Sequence, residues 1–227
     1  MEWITTENVA TAELAGAELI AARLLRAIEE RGHATLAVSG GRSPWGMLNQ
    51  LAQQNVPWDK VHVFQVDERI VPLDDPARNW GQFLEGELAA RVPAQNRHPM
   101  PVERDPETAA REYAGEILKN SGTPAMLDVV HLGLGEDGHT ASLFAGDPLL
   151  TERERDVGVS QPYQGHKRLT LTLPTLNRAR CVVWFVVGAD RKNAATRLFN
   201  DDPAIPASLV QRDNATCITD TDAAPET

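Results

Sequence analysis

The sequence predicts an α/β fold, a mostly parallel sheet with helices on both faces. Two observations carry the prediction. Segments of helical periodicity alternate with short β-branched apolar runs, the pattern that repeated βαβ units leave in a chain. Four of those runs pass directly into a glycine-rich or strongly polar cluster, which is what strand ends facing a ligand-binding edge look like. With 227 residues, 42% of them hydrophobic, and no Gly/Ser- or Pro-rich linker, the chain can bury one sizeable core. Residues 1–227 are therefore expected to form a single domain.

Taken in order, Val9 to Arg31 repeats apolar residues at helical spacing (Leu14, Leu19, Leu24, Leu25, Ile28), and Gly32 supplies the stop. "ATLAVSGG" predicts a buried strand over Ala34 to Ser39 that ends in two glycines. Ser43 is the expected N-cap of the next helix, with Pro44 at its first position and an end near Gln54. "KVHVFQV" reads as a strand and "DERIVPLDDPARN" as a polar loop after it. Helices are expected from about Trp80 to Arg91 and from Pro106 to Lys119. "LDVVHLGLG", "KRLTLTLP" and "CVVWFVVG" are three further strands, a helix is expected from about Arg191 to Phe199, and a last strand near Thr216 to Thr219.

Charge and composition exclude several roles. The net charge of −10 argues against a nucleic-acid surface, which needs clustered cations. The N-terminus carries acids where a signal peptide would carry Lys or Arg, and no apolar run approaches the roughly 18 residues of a membrane helix. No membrane partner is expected, and the predicted location is cytoplasmic. Cys181 and Cys217 sit in apolar stretches without CxxC or Cys/His spacing, and read as buried, reduced thiols. An anionic ligand would have to be held by a few local cations and backbone amides.

If the sheet is parallel, four loops converge on one edge: 39–43, 67–69, 133–140 and 188–192. Gly40 and Gly41 open a helix, and their bare backbone would let a phosphate approach the helix N-terminus. Ser43 belongs to the same loop. The loop lacks GxxxxGK[ST], and Ala37 stands where a GxSxG elbow needs glycine, so neither a P-loop nor a hydrolase serine is indicated. Asp67 could accept from a sugar hydroxyl, and Arg69 could hold a phosphate or an oxyanion through its planar donors. Asp137 and His139 lie two apart in a glycine-rich turn, where a carboxylate can fix the tautomer of a general-base histidine. Lys192 and Arg168 are candidate anion contacts. No HExxH is present, and His131 lies in an apolar strand eight residues before His139. Histidines 33, 62, 98 and 166 show no mutual ligand spacing and read as structural or solvated, so no metal is expected.

The stretch Leu132 to Phe144, "LGLGEDGHTASLF", also matches GxGxxG. A dinucleotide site would need a crossover helix after the glycines and an acid about 20 residues on at a strand end. Gly146-Asp147-Pro148 breaks the chain too early, and Glu152, Glu154 and Asp156 lie in the charged run "TERERD". The fingerprint is read as a coincidence of spacing.

Five ordered segments, "VSGGRSP", "VDERIVPLDDPARN", "LGLGEDGHTASLF", "KRLTLTLPTLNRA" and "VVGADRKNAA", together resemble the 6-phosphogluconolactonase family over some 160 residues. Ala145 departs from the family's usual proline, which concerns the turn after the histidine. The resemblance implies a Rossmann-like fold shared with glucosamine-6-phosphate deaminases and ribose-5-phosphate isomerases. It implies hydrolysis of 6-phospho-D-glucono-1,5-lactone, a small sugar-phosphate lactone, without metal or organic cofactor. It also implies His139 as general base with Asp137 as its partner, and Arg69, Arg168 and Lys192 as basic positions around the substrate. Two alternatives share the scaffold. An amino-sugar-phosphate deaminase or isomerase would be expected to show "GxGxDGHIAFNEP" and a later "GVGT", and neither is present. A non-catalytic sugar-phosphate sensor would be expected to add a DNA-binding helix-turn-helix. The sequence leaves the oligomeric state open, a monomer included.

Overall fold

In the computed structural model, which describes residues 1–41 and 43–226, ten strands and seven α-helices succeed one another. The strands are β1 (Glu2–Thr6), β2 (Ala34–Val38), β3 (Val61–Gln65), β4 (Asp67–Arg69), β5 (Arg97–His98), β6 (Val129–Leu132), β7 (Val157–Val159), β8 (Arg168–Leu171), β9 (Val182–Val186) and β10 (Ala215–Asp220). The helices are α1 (Val9–Arg31), α2 (Trp45–Ala52), α3 (Asn79–Glu85), α4 (Glu87–Arg91), α5 (Pro106–Ser121), α6 (Leu173–Arg178) and α7 (Lys192–Phe199).

Seven strands form one sheet in the order β1-β10-β9-β6-β2-β3-β5, and every pairing in it is parallel. Two apolar clusters cover its faces. Residues of α1, α2, α3 and α4 pack with Leu36, Val63 and Val183 on one side. Residues of α5, α6 and α7 pack with Ala37, Phe64 and Trp184 on the other. The expected two-faced α/β architecture is thus the observed one.

Helix α1 has the predicted limits because both ends are capped. Asn8 and Thr11 form a reciprocal capping box, and Gly32 closes the helix at φ +82°. Its buried face differs from the expected one. Leu14 and Leu25 are exposed, and the stripe against the sheet and α2 is Ala12, Gly16, Ala17, Ile20, Ala21, Leu24 and Ala27. Small residues win these positions because α2 lies close: a Cβ on Gly16 would come within 2.5 Å of Met47 Sδ.

Other expectations need correction. The N-terminal segment pairs as β1 on β10. Ser43 is not the cap of α2, which starts at Trp45 with Pro44 as a cap that offers no side-chain hydrogen bond. The helix expected over 80–91 breaks at Gly86, whose ψ of 158° is extended. The segment 67–69 is not loop but strand, and "RLTL" does not join the parallel sheet. These two pair antiparallel with each other, and with β7 they form a second sheet of order β4-β8-β7. Leu169, Leu171 and Val157 of that small sheet share an apolar cluster with Val130 and Leu132 of the large one, which fixes one sheet against the other.

Candidate active site

The chain runs from β2 outward to β3 and β5, then returns to place β6 on the opposite flank of β2. Such a reversal opens a crevice beyond the carboxyl ends of the strands. Here β9, β6, β2 and β3 are neighbours, so the loops that follow them lie side by side and line one cleft.

The loop after β2 is tied to β6 by Ser39, whose amide donates to His131 Nδ1 (3.3 Å) and whose hydroxyl donates to the His131 carbonyl (2.9 Å). Gly40 packs so tightly against Asn79 that a Cβ there would overlap the amide carbon, and Gly41 adopts φ +105°. Gly40, Gly41 and Ser43 all line the cleft. Arg42 lies outside the described residues. Asn79 also donates to the Asp67 carbonyl (3.1 Å), so this loop is linked to the next.

In the Asp67-Glu68-Arg69 segment each side chain has a separate task. Asp67 lines the cleft and accepts from Ser142 Oγ at 2.6 Å. Glu68 turns inward and is fully buried. It accepts from the amides of Arg69, Asn79 and Trp80 (2.8–2.9 Å) and from Gln65 Nε2 (2.8 Å), with Arg78 Nε at 3.4 Å. No sequence signal marks this role, because it depends on amides eleven and twelve residues away. Arg69 lines the cleft, and its Nη1 donates to the Ala77 carbonyl at 2.5 Å.

After β6 the chain makes a tight glycine turn, and the next helical element is the short 3-10 turn Pro148–Thr151. Gly138 takes φ +82°, and Gly135 exchanges backbone bonds with His139 and Gly138 (2.9 Å each). The turn brings His139 Nδ1 to 2.5 Å from Asp137 Oδ1. Gly135 must be glycine here, since a Cβ would overlap His139 Nδ1. Tyr163 donates to the other carboxylate oxygen at 2.9 Å. Burial pushes the Asp137 carboxyl up. The hydrogen bond and charge of His139, together with the Tyr163 hydroxyl, outweigh it and leave the carboxyl below its ordinary value. An ionised Asp137 accepting from Nδ1–H leaves Nε2 of His139, a residue that lines the cleft, as the proton acceptor. Asp137 itself stands behind the histidine. After the histidine, Ala145 and Gly146 (φ +82°) close a turn with the Asp147 amide on the Phe144 carbonyl. Proline's fixed φ favours the position of Ala145 but is not required there.

The cations face the same cleft. Arg69 and Arg168 are direct partners across β4 and β8, an arrangement of like charges that is unfavourable without an anion. Arg168 is only 4% exposed. Burial pushes its guanidinium down from the ordinary arginine value, with Asp67 opposing and Arg69 adding to the effect. Its charge lies 5.4 Å from the Phe144 ring and 5.5 Å from the Tyr163 ring. The buried Nε atoms of Arg69 and Arg168 have no hydrogen-bond partner among the described residues. Arg191, not named from sequence, lines the cleft. Its Nη1 is 2.9 Å from Glu136 Oε1, without hydrogen-bond alignment. Lys192 opens α7 outside the cleft lining, with Nζ 3.1 Å from Glu226. The helical phase of "GADRK" decides which of the two cations faces in, and the sequence alone did not fix that phase.

Three of the remaining histidines meet at the far side of β3. His62 Nδ1 is 3.0 Å from His98 Nε2, and the His33 and His62 rings lie 6.2 Å apart. The sequence spacing concealed this cluster. Among the described residues no group of His, Cys, Asp and Glu could hold a metal. Cys181 and Cys217 are buried and unbridged, and no described helix is long and apolar enough to cross a membrane.

A family profile described as glucosamine-6-phosphate isomerases/6-phosphogluconolactonase matches residues 7–219. The chain belongs to that family. A 6-phosphogluconolactonase of Synechocystis sp. is 40% identical over 201 residues, covering 85% of this chain and 83% of the relative. The crystal structure of 6-phosphogluconolactonase from Thermotoga maritima superposes with a TM-score of 0.85 at 28% identity, over 99% of both chains. A monomeric glucosamine-6-phosphate deaminase reaches a TM-score of 0.84 at 17% identity, over 98% of both chains, and shares the fold. Both activities in the family's description concern sugar phosphates, so the cleft decides between them.

Proposed function

We propose that this protein hydrolyses 6-phospho-D-glucono-1,5-lactone to 6-phospho-D-gluconate. One observation carries the reading: a carboxylate-held histidine shares its cleft with buried arginine nitrogens that no described protein group satisfies. That combination suits water attack on an ester carbonyl within an anionic substrate. Relatives over most of the chain bear the 6-phosphogluconolactonase name, which supports the same assignment.

In the proposed reaction Nε2 of neutral His139 takes a proton from water as its oxygen attacks C1. The tetrahedral oxyanion is stabilised by a neighbouring guanidinium or backbone amide. The C1–ring-oxygen bond then breaks, His139 returns the proton to the departing oxygen, and the product is the open-chain acid. Asp137 stabilises the transient imidazolium and is not itself protonated. Gly40, Gly41, Ser43, Asp67, Arg69 and Arg168 are proposed to hold phosphate and sugar oxygens, with Arg191, which lines the cleft, in the place expected of Lys192. Anchoring the phosphate orients the ring, so binding far from C1 contributes to the rate there. A cytoplasmic setting belongs to the same reading and is supported by the two unbridged cysteines.

The decisive experiment follows lactone hydrolysis with correction for the spontaneous reaction. His139→Ala is expected to lower kcat by about 100-fold or more with an unchanged circular-dichroism spectrum. A corrected rate near that of the wild type would exclude His139 as the base. Release of ammonia from glucosamine 6-phosphate, in the absence of lactone turnover, would reassign the cleft to the deaminase branch.

A further inference from the structure

Tyr163 sits at the tip of the β7–β8 hairpin, with no part in the motifs that mark the family resemblance. The tip is a two-residue turn closed by paired backbone bonds between Tyr163 and His166 (2.9 and 3.2 Å). Gln164 and Gly165 take φ +50° and +85°, the two left-handed residues such a hairpin requires. This turn carries the tyrosine over the turn of Asp137 and His139. The ring stacks on Phe144 with centroids 3.8 Å apart and planes at 14°. It lies 5.4 Å from the His139 ring, and its hydroxyl donates to Asp137 Oδ2 at 2.9 Å.

Asp137 needs such a support. Its side chain is 47% exposed, so a carboxylate held by His139 alone would rotate and exchange its partners with water. The backbone amide of His139 gives Oδ1 a second contact at 3.2 Å, but Oδ2 is held by Tyr163. With both oxygens fixed, the carboxylate plane and the direction of the Nδ1–H bond are set. The imidazole is thereby kept in one tautomer, with Nε2 aimed at the cleft.

We propose that Tyr163 is a positioning residue of the active site, acting through Asp137 on the tautomer and aim of His139, so that Tyr163, Asp137 and His139 form one hydrogen-bonded relay. The proposal rests on the lactonase reading for its kinetic consequence and on geometry alone for its structural one.

The test is Tyr163→Phe, which keeps the ring stacked on Phe144 and removes only the hydroxyl. Lactone hydrolysis is expected to show kcat about 3- to 10-fold lower with KM unchanged, the scale of one hydrogen bond. In an Asp137→Ala background the same substitution should have no further effect, since the relay is already broken. Nitrogen-15 NMR of the His139 ring, which needs no substrate, should show a single Nδ1–H tautomer in the wild type and a mixture in Tyr163→Phe. Wild-type kcat in Tyr163→Phe, or an equal loss in the Asp137→Ala background, would overturn the proposal. An unchanged tautomer in the variant would overturn it even if the protein failed to turn over lactone. That failure, by contrast, would count against the lactonase reading and leave the NMR result to decide the relay.

Discussion

His131 offers a stability test that probes the junction of the glycine loop with the sheet. The residue lies on β6 at the cleft, 1% exposed, and its Nδ1 accepts the Ser39 amide. A protonated ring could not accept that bond, and burial pushes the folded imidazole down from 6.5 to about 4. The unfolded chain therefore binds a proton below about pH 6.5 that the folded chain refuses until about pH 4. The resulting stability is fully present above the unfolded value and is lost as pH falls toward the folded one. At about 1.4 kcal/mol for each pH unit between the two values, the ceiling is about 3 kcal/mol, and about 2 kcal/mol of it is lost between about pH 7 and about pH 4.5. His131→Asn retains a side-chain acceptor and does not titrate, so its intrinsic cost is the same at every pH. His98, which burial also pushes down to about 4, is present in both proteins and cancels in their difference. Urea unfolding of both across that range should show the stability difference shrinking by about 2 kcal/mol toward acid. Parallel curves would refute the claim that a neutral His131 is required by the fold.

Three further predictions address the cleft. Arg191→Ala should raise KM by about 10-fold or more, the scale of a charge-assisted hydrogen bond, whereas Lys192→Ala, whose partner is Glu226, should change it by about 2-fold or less. The reverse order in Michaelis kinetics would return the anion contact to Lys192. Glu68→Gln places a donor where backbone amides converge and should cost about 3–5 kcal/mol in denaturant unfolding. A loss below about 1 kcal/mol would mean the carboxylate is not needed as a charge. Gly135→Ala drives a methyl onto His139 Nδ1 and should lower kcat by about 100-fold with little change in Tm, while Gly133→Ala, whose Cβ meets nothing within 4 Å, serves as the control. Equal rates for the two variants would show that the histidine does not depend on the turn's shape.

What the sequence revealed was local. Helix α1 could be bounded because a glycine in the left-handed region ends it, and the five inner strands of the large sheet were legible as apolar runs long enough to be buried on both faces. The strands that escaped notice, β1, β4, β5 and β7, have two to five residues and owe their conformation to distant partners. Arg69 could be suspected of holding an anion, but its opposition to Arg168 is a pairing across about a hundred residues that no periodicity encodes. Glu68 looked like its acidic neighbour until the fold closed backbone amides around it. The exposed leucines of α1 show the same limit from the other side: helical spacing identified a helix, but the closeness of α2 decided that small residues, Gly16 above all, would share its buried face with Ile20 and Leu24.

The two sheets divide the chemistry, and the division explains why an acidic chain can hold an anion. The parallel sheet contributes the turn of Asp137 and His139, the glycine loop and Arg191, groups carried at strand ends. The antiparallel sheet contributes Arg69 and Arg168 side by side, with the hairpin beyond it supplying Tyr163. Two of the three described cleft arginines therefore come from one pairing, β4 with β8, and because Arg168 is buried its attraction for a bound anion is little screened, even in a chain of net charge −10. An acidic exterior slows the approach of an anionic substrate but does not weaken its hold once it reaches the guanidinium groups. Added salt should accordingly relieve the repulsion felt at long range more than it weakens the buried contacts. The second-order rate constant kcat/KM is the quantity in which that balance would be read, and a steep fall with salt would place the anion on exposed cations instead.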